Sequence, residues 1–370
     1  MNELRIIALL GRRDEPTDAV EEYCRYLGGA LRDRGFAMEL VRVPWAERGW
    51  TSALRDLREK ARAWRGEWVF LQYTALAWSA RGFPLAFLRV IEVIRESGAR
   101  VAIVYHDVEP FSGSRWIDAI RRRAQLRVMQ QALQVANLAI FTVPLDVISW
   151  LGKSDSTPTF IPVGANLPVE HFVAAKSGET EQTPLRVAVF GITEGGTGRK
   201  ECARIVEAVV FAAARGGPVR LHAFGRGALG CETELRKALE DVAVELHVEG
   251  VLPAEQVVKA LCSSDVMLFV RAPISSRRGS AIAGIACGLP VIAYSGAETA
   301  PPISDAGVLL VSPGNNTELG EALLRVMSDA PLRESLAERS RQAQRNHFRW
   351  GAIAERYVEA LSKQEKDSPA

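Results

Sequence analysis

Short apolar runs alternate with amphipathic segments through nearly the whole chain, and this rhythm restricts the fold more than any other feature. In the first half, "LRIIALL", "AMELVRV", "EWVFLQY", "ARVAIVYHD", "LAIFTV" and "PTFIPVG" are short and largely apolar. Between them, "AVEEYCRYLGGALRDRG", "TSALRDLREKARAW" and "LAFLRVIEVIRESG" repeat their apolar residues at helical spacing, and a long basic helix follows. Strands apolar on both faces and separated by helices predict a parallel sheet covered on either side. The composition changes over 166–183, "NLPVEHFVAAKSGETEQT", and a second series begins: "LRVAVFGI", "VRLHAFG", "VELHVEG", "DVMLFVR" and "GVLLVS", again with helical segments between. The pattern predicts an α/β domain over 1–165, a linker over 166–183, a second α/β domain over 184–345, and a C-terminal helix and tail over 346–370.

With 370 residues, 48% apolar and 24% charged, the chain has an ordinary globular composition and enough length for two cores. A net charge of +2 gives no general attraction for nucleic acid, so no nucleic-acid partner is expected. Charges interrupt "MNELRIIALLGRRDEP" before a cleavage site would make sense, and no apolar stretch reaches bilayer length. These features predict a cytoplasmic protein, touching the inner membrane face at most. Cys24, Cys202, Cys231, Cys262 and Cys287 lie far apart without a C-x-x-C and read as free, partly buried thiols. His106, His171, His222, His247 and His347 show no compact metal-ligand spacing, so no metal is expected, and no G-x-S-x-G elbow supports serine hydrolysis.

The sharpest candidate site is "ISSRRGSAIAGIACGLPVIAYSG", 274–296. Arg277 and Arg278 offer rigid donor forks ahead of a helix whose N-terminal amides attract anions. Gly279 allows close backbone approach, Ser275, Ser276 and Ser280 add hydroxyls, Ser280 is placed to cap the helix, and Gly288 to end it. Phosphate is one reading; a solvated or salt-bridged loop is the other. In "VFGITEGGTGRKE", Gly191 makes room at a strand end, Gly195, Gly196 and Gly198 permit a tight loop, and Arg199 and Lys200 follow where a diphosphate would sit. The spacing fits neither the dinucleotide fingerprint nor a P-loop, and a flexible connector explains it equally.

"YHDVEPF" places His106 and Asp107 at a strand's carboxyl end, where α/β folds commonly bind ligands. His106 can bond a sugar hydroxyl or assist proton transfer, and Asp107 can orient it or cap a turn. Gln72, Tyr73, Trp78 and Arg81 can shape an acceptor pocket or close the core. Arg12 and Arg13 follow the first strand, as acceptor ligands or as a solvated turn. The helix at 119–136 carries Arg121, Arg122, Arg123 and Arg127 beside Ile120, Leu126, Val128, Met129 and Leu133. That mixture suits peripheral contact with anionic lipid, or an ordinary surface helix.

Taken in order, "LQYTALAWSARGFP", "VAIVYHDVEPF", "IPVGANLP", "VFGITEGGTGRKE" and above all "ISSRRGSAIAGIACGLPVIAY" resemble the bacterial family 4 glycosyltransferases with the GT-B fold, from "LRIIALL" to about residue 345. The resemblance implies two Rossmann-like domains facing a cleft, the first receiving the acceptor and the second a nucleotide-diphosphate sugar. It further implies sugar transfer with retention to a glycan or lipid-linked acceptor, the nucleotide sugar being a substrate, with no bound metal and no cofactor. By the same resemblance Arg199 and Lys200 stabilise the donor diphosphate, Gly191 makes room beside it, and His106 is the active-site histidine with Asp107 in support. The chain departs from the family where two glutamates, with seven residues between them, usually precede the "CGLPV" stretch: Ser275 and Ala283 stand there. The competing reading is an inactive, family-like scaffold in a glycan-assembly complex.

Overall fold

The structure, a computed structural model, describes residues 3–15, 17–152, 158–169 and 184–367. From residue 170 onward the expected linker lies outside the described residues. The chain divides into two compact units, Met1–Val163 with Trp350–Ala370, and Gly164–Arg349.

The first unit holds β1 (Leu4–Leu10), β2 (Phe36–Arg42), β3 (Trp68–Tyr73), β4 (Arg100–Tyr105), β5 (Leu138–Phe141) and β6 (Thr159–Phe160) in one sheet of order β2-β1-β3-β4-β5-β6. Neighbouring strands pair in parallel. The inner strands are buried on both faces, which is why they read as continuous apolar runs, whereas the edge strand β2 is mostly half-exposed. The order reverses between β1 and β3, and such a reversal leaves a crevice at the strands' carboxyl ends.

The final helix, Trp350–Asp367, belongs to this first unit. Tyr357 on it lies 2.7 Å, hydroxyl to hydroxyl, from Tyr23 in the helix Ala19–Arg32, and stacks on Phe70 of β3 at 5.6 Å. A buried hydroxyl left without its partner costs about 1–3 kcal/mol, so this pair fixes the helix as well as filling the core.

The second unit holds β7 (Leu185–Phe190), β8 (Val219–Phe224), β9 (Val244–Val248), β10 (Val266–Phe269), β11 (Val291–Tyr294) and β12 (Val308–Val311), ordered β12-β11-β10-β7-β8-β9 and parallel. Counted within the unit this is the 3-2-1-4-5-6 order of a dinucleotide-binding sheet, with its reversal between β7 and β10. Both units are thus Rossmann-like α/β layers, as the alternating segments predict.

One cysteine expectation is corrected: Cys202 and Cys231 are joined in a disulfide rather than standing as free thiols. The helix Gly195–Gly216 brings Cys202 to the short turn Leu229–Cys231, a proximity that a separation of 29 residues conceals. Cys24, Cys262 and Cys287 are free. No helix among the described residues is long and apolar enough to cross a membrane.

Candidate active site

In the first unit, β1 runs into Gly11 at the sheet's reversal. A side chain there would place its Cβ 2.3 Å from the Ala77 carbonyl, the same carbonyl that accepts from the Arg12 amide at 2.7 Å. Glycine is required because the 74–78 loop closes over the strand end. Around this contact lies a cavity of about 260 Å³ lined by Gly11, Arg12, Arg13, Arg42, Gln72 and Asp107, among others.

Gln72 is 1% exposed, and its Oε1 lies 2.8 Å from His106 Nε2. With the amide oxygen accepting, Nε2 carries the proton. The His106 ring also meets Tyr23 edge-on at 5.0 Å, so two contacts fix its plane. Asp107 lines the cavity and accepts from the Ala75 amide at 2.8 Å, holding the turn between β3 and its following segment. Arg42, which sequence reasoning missed, donates to the Gly11 carbonyl at 2.8 Å and to Asp18 and Glu21 at 3.1 and 2.6 Å. Its signal was its position at the end of the strand next to β1.

Two proposed acceptor residues are corrected. Tyr73 and Trp78 are both 0% exposed and belong to the core, where Trp78 donates to the Gln72 carbonyl at 2.8 Å and both rings pack on Phe87. Alternation turns Tyr73 away from the face that Gln72 presents. Burial pushes the Tyr73 hydroxyl well above the usual phenol range, with the nearby Asp107 charge adding to the effect, so it stays neutral. Arg81 is exposed and is not among the residues lining the cavity; its carbonyl accepts from Arg121.

In the second unit, β7 runs into Gly191 at the other reversal. Gly191 has φ +80°, a region that favours glycine, and its absent Cβ would have only the Arg271 Nη1 within reach, at 3.8 Å. Arg271 follows β10, the strand across the reversal, so topology rather than sequence brings it there. The loop after Gly191 is ordered by Glu201, whose buried carboxylate accepts from the Thr193 amide at 2.7 Å and hydroxyl at 2.8 Å.

The glycine run is corrected from tight loop to helix: Gly195–Gly216 is helical, and Gly195, Gly196 and Gly198 form its start. Gly198 is required because a Cβ would lie 1.8 Å from the Thr193 carbonyl. Arg199 and Lys200 therefore stand one turn into the helix, exposed. No carboxylate occupies the first turn, and Glu194 at the N-cap makes no capping hydrogen bond.

The "SSRRGS" segment follows β10 and leads into the helix Gly279–Ala286. Arg278, not Ser280, is its N-cap residue, and no side chain caps it. Gly279 is exposed with open space where a Cβ would be, and Gly288, at φ +73°, follows the helix end as predicted. Ser275 and Ser276 are 0% exposed, which corrects their reading as hydroxyls offered to a ligand.

Arg277 forms a two-pronged ion pair with Glu298, at 2.7 and 2.8 Å. Burial would raise the Glu298 carboxyl, but the Arg277 fork and the Arg278 charge outweigh it and hold the group below the usual carboxylate range. Glu298 is therefore an anion at neutral pH that partly neutralises the basic loop. Sequence reasoning missed it because it arrives from beyond β11.

The second sheet's reversal thus gathers Gly191, Arg271 and two helix starts without side-chain caps. Such starts carry roughly half a positive charge each and present backbone donors to an anion. The arrangement suits a diphosphate.

Residues 192–329 match the family model described as glycosyl transferases group 1. No curated protein matches the chain in sequence. Among solved structures, the sucrose-phosphate synthase of Thermosynechococcus elongatus is 20% identical, with a TM-score of 0.70 over 99% of this chain and all of that one. Anabaena HepE, solved in complex with UDP and glucose, is 15% identical, with a TM-score of 0.65 over 97% of this chain and all of that one. A putative UDP-N-acetylglucosamine 2-epimerase from Listeria monocytogenes is 13% identical, with a TM-score of 0.64 over 99% and 98% of the two chains. At these identities the likeness is one of fold, the paired Rossmann-like architecture called GT-B.

Proposed function

We propose that this protein is a retaining glycosyltransferase that moves a sugar from a nucleotide-diphosphate donor to a glycan or lipid-linked acceptor. The observation that carries the reading is the meeting of Gly191 with Arg271 at the second sheet's reversal, beside helix starts that no side chain caps. The family match over 192–329 begins just after Gly191 and includes Arg271 and both helix starts, and HepE is a similar fold solved with UDP and glucose.

In this reading the second unit binds the donor through Gly191, Arg271, Arg278, Gly279 and Ser280, with Arg199 and Lys200 reaching the phosphates from one turn up their helix. As the bond between the anomeric carbon and the phosphate oxygen breaks, negative charge grows on the leaving diphosphate, and donors already oriented toward it lower the barrier. The acceptor hydroxyl forms the new bond on the same face, and its proton passes to the departing phosphate oxygen. Asp107, Arg12 and Arg13 line the cavity that would take the acceptor, and His106, which is not among its lining residues, positions the hydroxyl from beside it through its contact with Gln72. The basic groups and helix starts meet the phosphate charge, so the reading calls for no metal in the transfer step.

A lipid-linked acceptor would bring the first unit to a membrane. Phe111, Trp116 and Ile120 are exposed on and just before the helix Trp116–Val135, beside Arg122, Arg123 and Arg127. Val128, Met129 and Leu133 do not contribute, since all three are buried in the core. That corrects their reading as lipid-facing residues.

A mass-spectrometric screen of pooled nucleotide sugars against lipid-linked and soluble glycan acceptors tests the function, with proton NMR of the product reading its anomeric configuration. Donor-dependent transfer with retention is expected, with or without chelator. A donor isomerised with no acceptor modified would point to an epimerase. No reaction across the screen would favour the scaffold, a reading that the missing glutamates and the Arg277–Glu298 pairing also support.

A further inference from the structure

On the edge of the second sheet, His222 of β8 and His247 of β9 are register partners in parallel strands. Parallel register puts both side chains on one face, with ring centroids 4.7 Å apart. Glu249 follows His247 by two residues and continues on that face, while its amide extends the ladder by donating to the Ala223 carbonyl at 2.9 Å. Its Oε2 lies 2.8 Å from His222 Nε2 and 3.3 Å from His247 Nε2. The three donor atoms all fall within 4.8 Å of one another.

We propose that His222, His247 and Glu249 bind a zinc ion. Tetrahedral ligands about 2.1 Å from zinc stand roughly 3.4 Å apart, so the observed separations need only small side-chain adjustments. Two imidazoles and a carboxylate are a borderline donor set suited to zinc, with copper and nickel as the natural competitors. His222 and Glu249, though not His247, also line a cavity of about 520 Å³ together with Gln256, Lys259 and Ser263, among others. Arg186 and Arg220 also line it, but each is paired, with Asp265 and Glu245. Lys259 favours hydroxide or another anion as the fourth ligand.

The site is separate from the proposed donor loops. Its cavity reaches Arg186 and Val187 at the start of β7 and Ser263 and Ser264 before β10, whereas Gly191 and Arg271 follow the opposite ends of those strands. The ion's role is structural: it pins the edge strand β9 to β8. Spacing along the chain hides the cluster, because 25 residues separate His222 from His247 and only sheet register joins them.

Calorimetric titration of zinc chloride into the untagged, chelator-stripped full chain tests the site, with magnesium as control. One zinc per chain at micromolar affinity or tighter is expected, with a rise in melting temperature that magnesium does not reproduce. His247→Ala and Glu249→Gln, at partly exposed positions, should each weaken binding at least tenfold while circular dichroism stays native. His347→Ala, outside the cluster, should bind as the native chain does. No zinc binding, or equal affinity in His247→Ala and the native chain, would overturn the proposal.

Discussion

The helix Ala19–Arg32 in the first unit and the helix Gly279–Ala286 in the second both start near the reversal point of a six-stranded parallel sheet, but they start in opposite electrostatic states. Asp18 caps the former, accepting from the Val20 and Glu21 amides at 3.1 Å, and Glu21 and Glu22 add negative charge to its first turn. Arg42 then spends its guanidinium on Asp18 and Glu21. The latter helix has Arg278 at its N-cap, no capping side chain and no acid in its first turn. The first unit has satisfied its own helix dipole; the second has left it for something else. A neutral, hydroxyl-bearing ligand suits the former and a diphosphate the latter.

Breaking the first half of this contrast should have the largest effect. His106→Ala removes the imidazole that Gln72 orients, and transfer should fall by ~100-fold or more, with nucleotide affinity unchanged. Steady-state kinetics with parallel nucleotide titration would show this, and loss of nucleotide affinity would place His106 with the donor instead. On the other side, Gly191→Val puts a β-branched residue at φ +80°. The strain of about 1–2 kcal/mol and the crowding of Arg271 should raise the donor KM by roughly tenfold while acceptor KM stays put. Equal changes in both would blur the division of labour.

Glu298→Gln tests the countercharge in the basic loop. Because the folded carboxyl lies below its unfolded value, the unfolded chain binds the proton first as pH falls. The Glu298 contribution to stability is therefore complete above the ordinary carboxyl range and is lost as pH drops through the lowered folded value. Thermal melts of Glu298→Gln should lie below native near neutral pH and approach it in acid. A constant gap across pH would show that packing, not charge, holds the pair. The smallest effect concerns the surface of the first unit, where Trp116 is 76% exposed. Vesicle cosedimentation should show a preference for anionic lipid that Trp116→Ala weakens severalfold and physiological salt reduces; equal binding to neutral vesicles would remove the membrane reading.

The strands and main helices were legible because each is a continuous run whose period survives without its neighbours. Gly191, His106 and the helix after Arg278 were legible for the same reason, since each sits at a strand or helix end that local pattern marks. Side-chain partners were not. Arg271 reaches Gly191 only because the non-consecutive strands β10 and β7 lie side by side, while Glu298 reaches Arg277 and Arg42 reaches Gly11 across the ends of the neighbouring pairs β11–β10 and β2–β1. Tyr73 and Gln72 differ by one position, so a period of two sends one into the core and the other to the cavity, a choice that composition alone does not make. The Ser275 and Ser276 hydroxyls were misplaced for a similar reason, being folded inward ahead of the helix start.

The contrast between the two helix starts can be tested by exchanging them. Nucleoside diphosphates, uridine diphosphate first, would be titrated calorimetrically into the native chain, Arg278→Asp and Asp18→Ala, all checked for native circular dichroism. Arg278→Asp gives the second unit's helix the carboxylate cap that the first already has, removing a phosphate donor and opposing the anion. The native chain should bind, Arg278→Asp should lose ~100-fold in affinity, about 2.7 kcal/mol, and Asp18→Ala should stay within about twofold of native. Equal affinity in native and Arg278→Asp, or a loss confined to Asp18→Ala, would contradict that contrast.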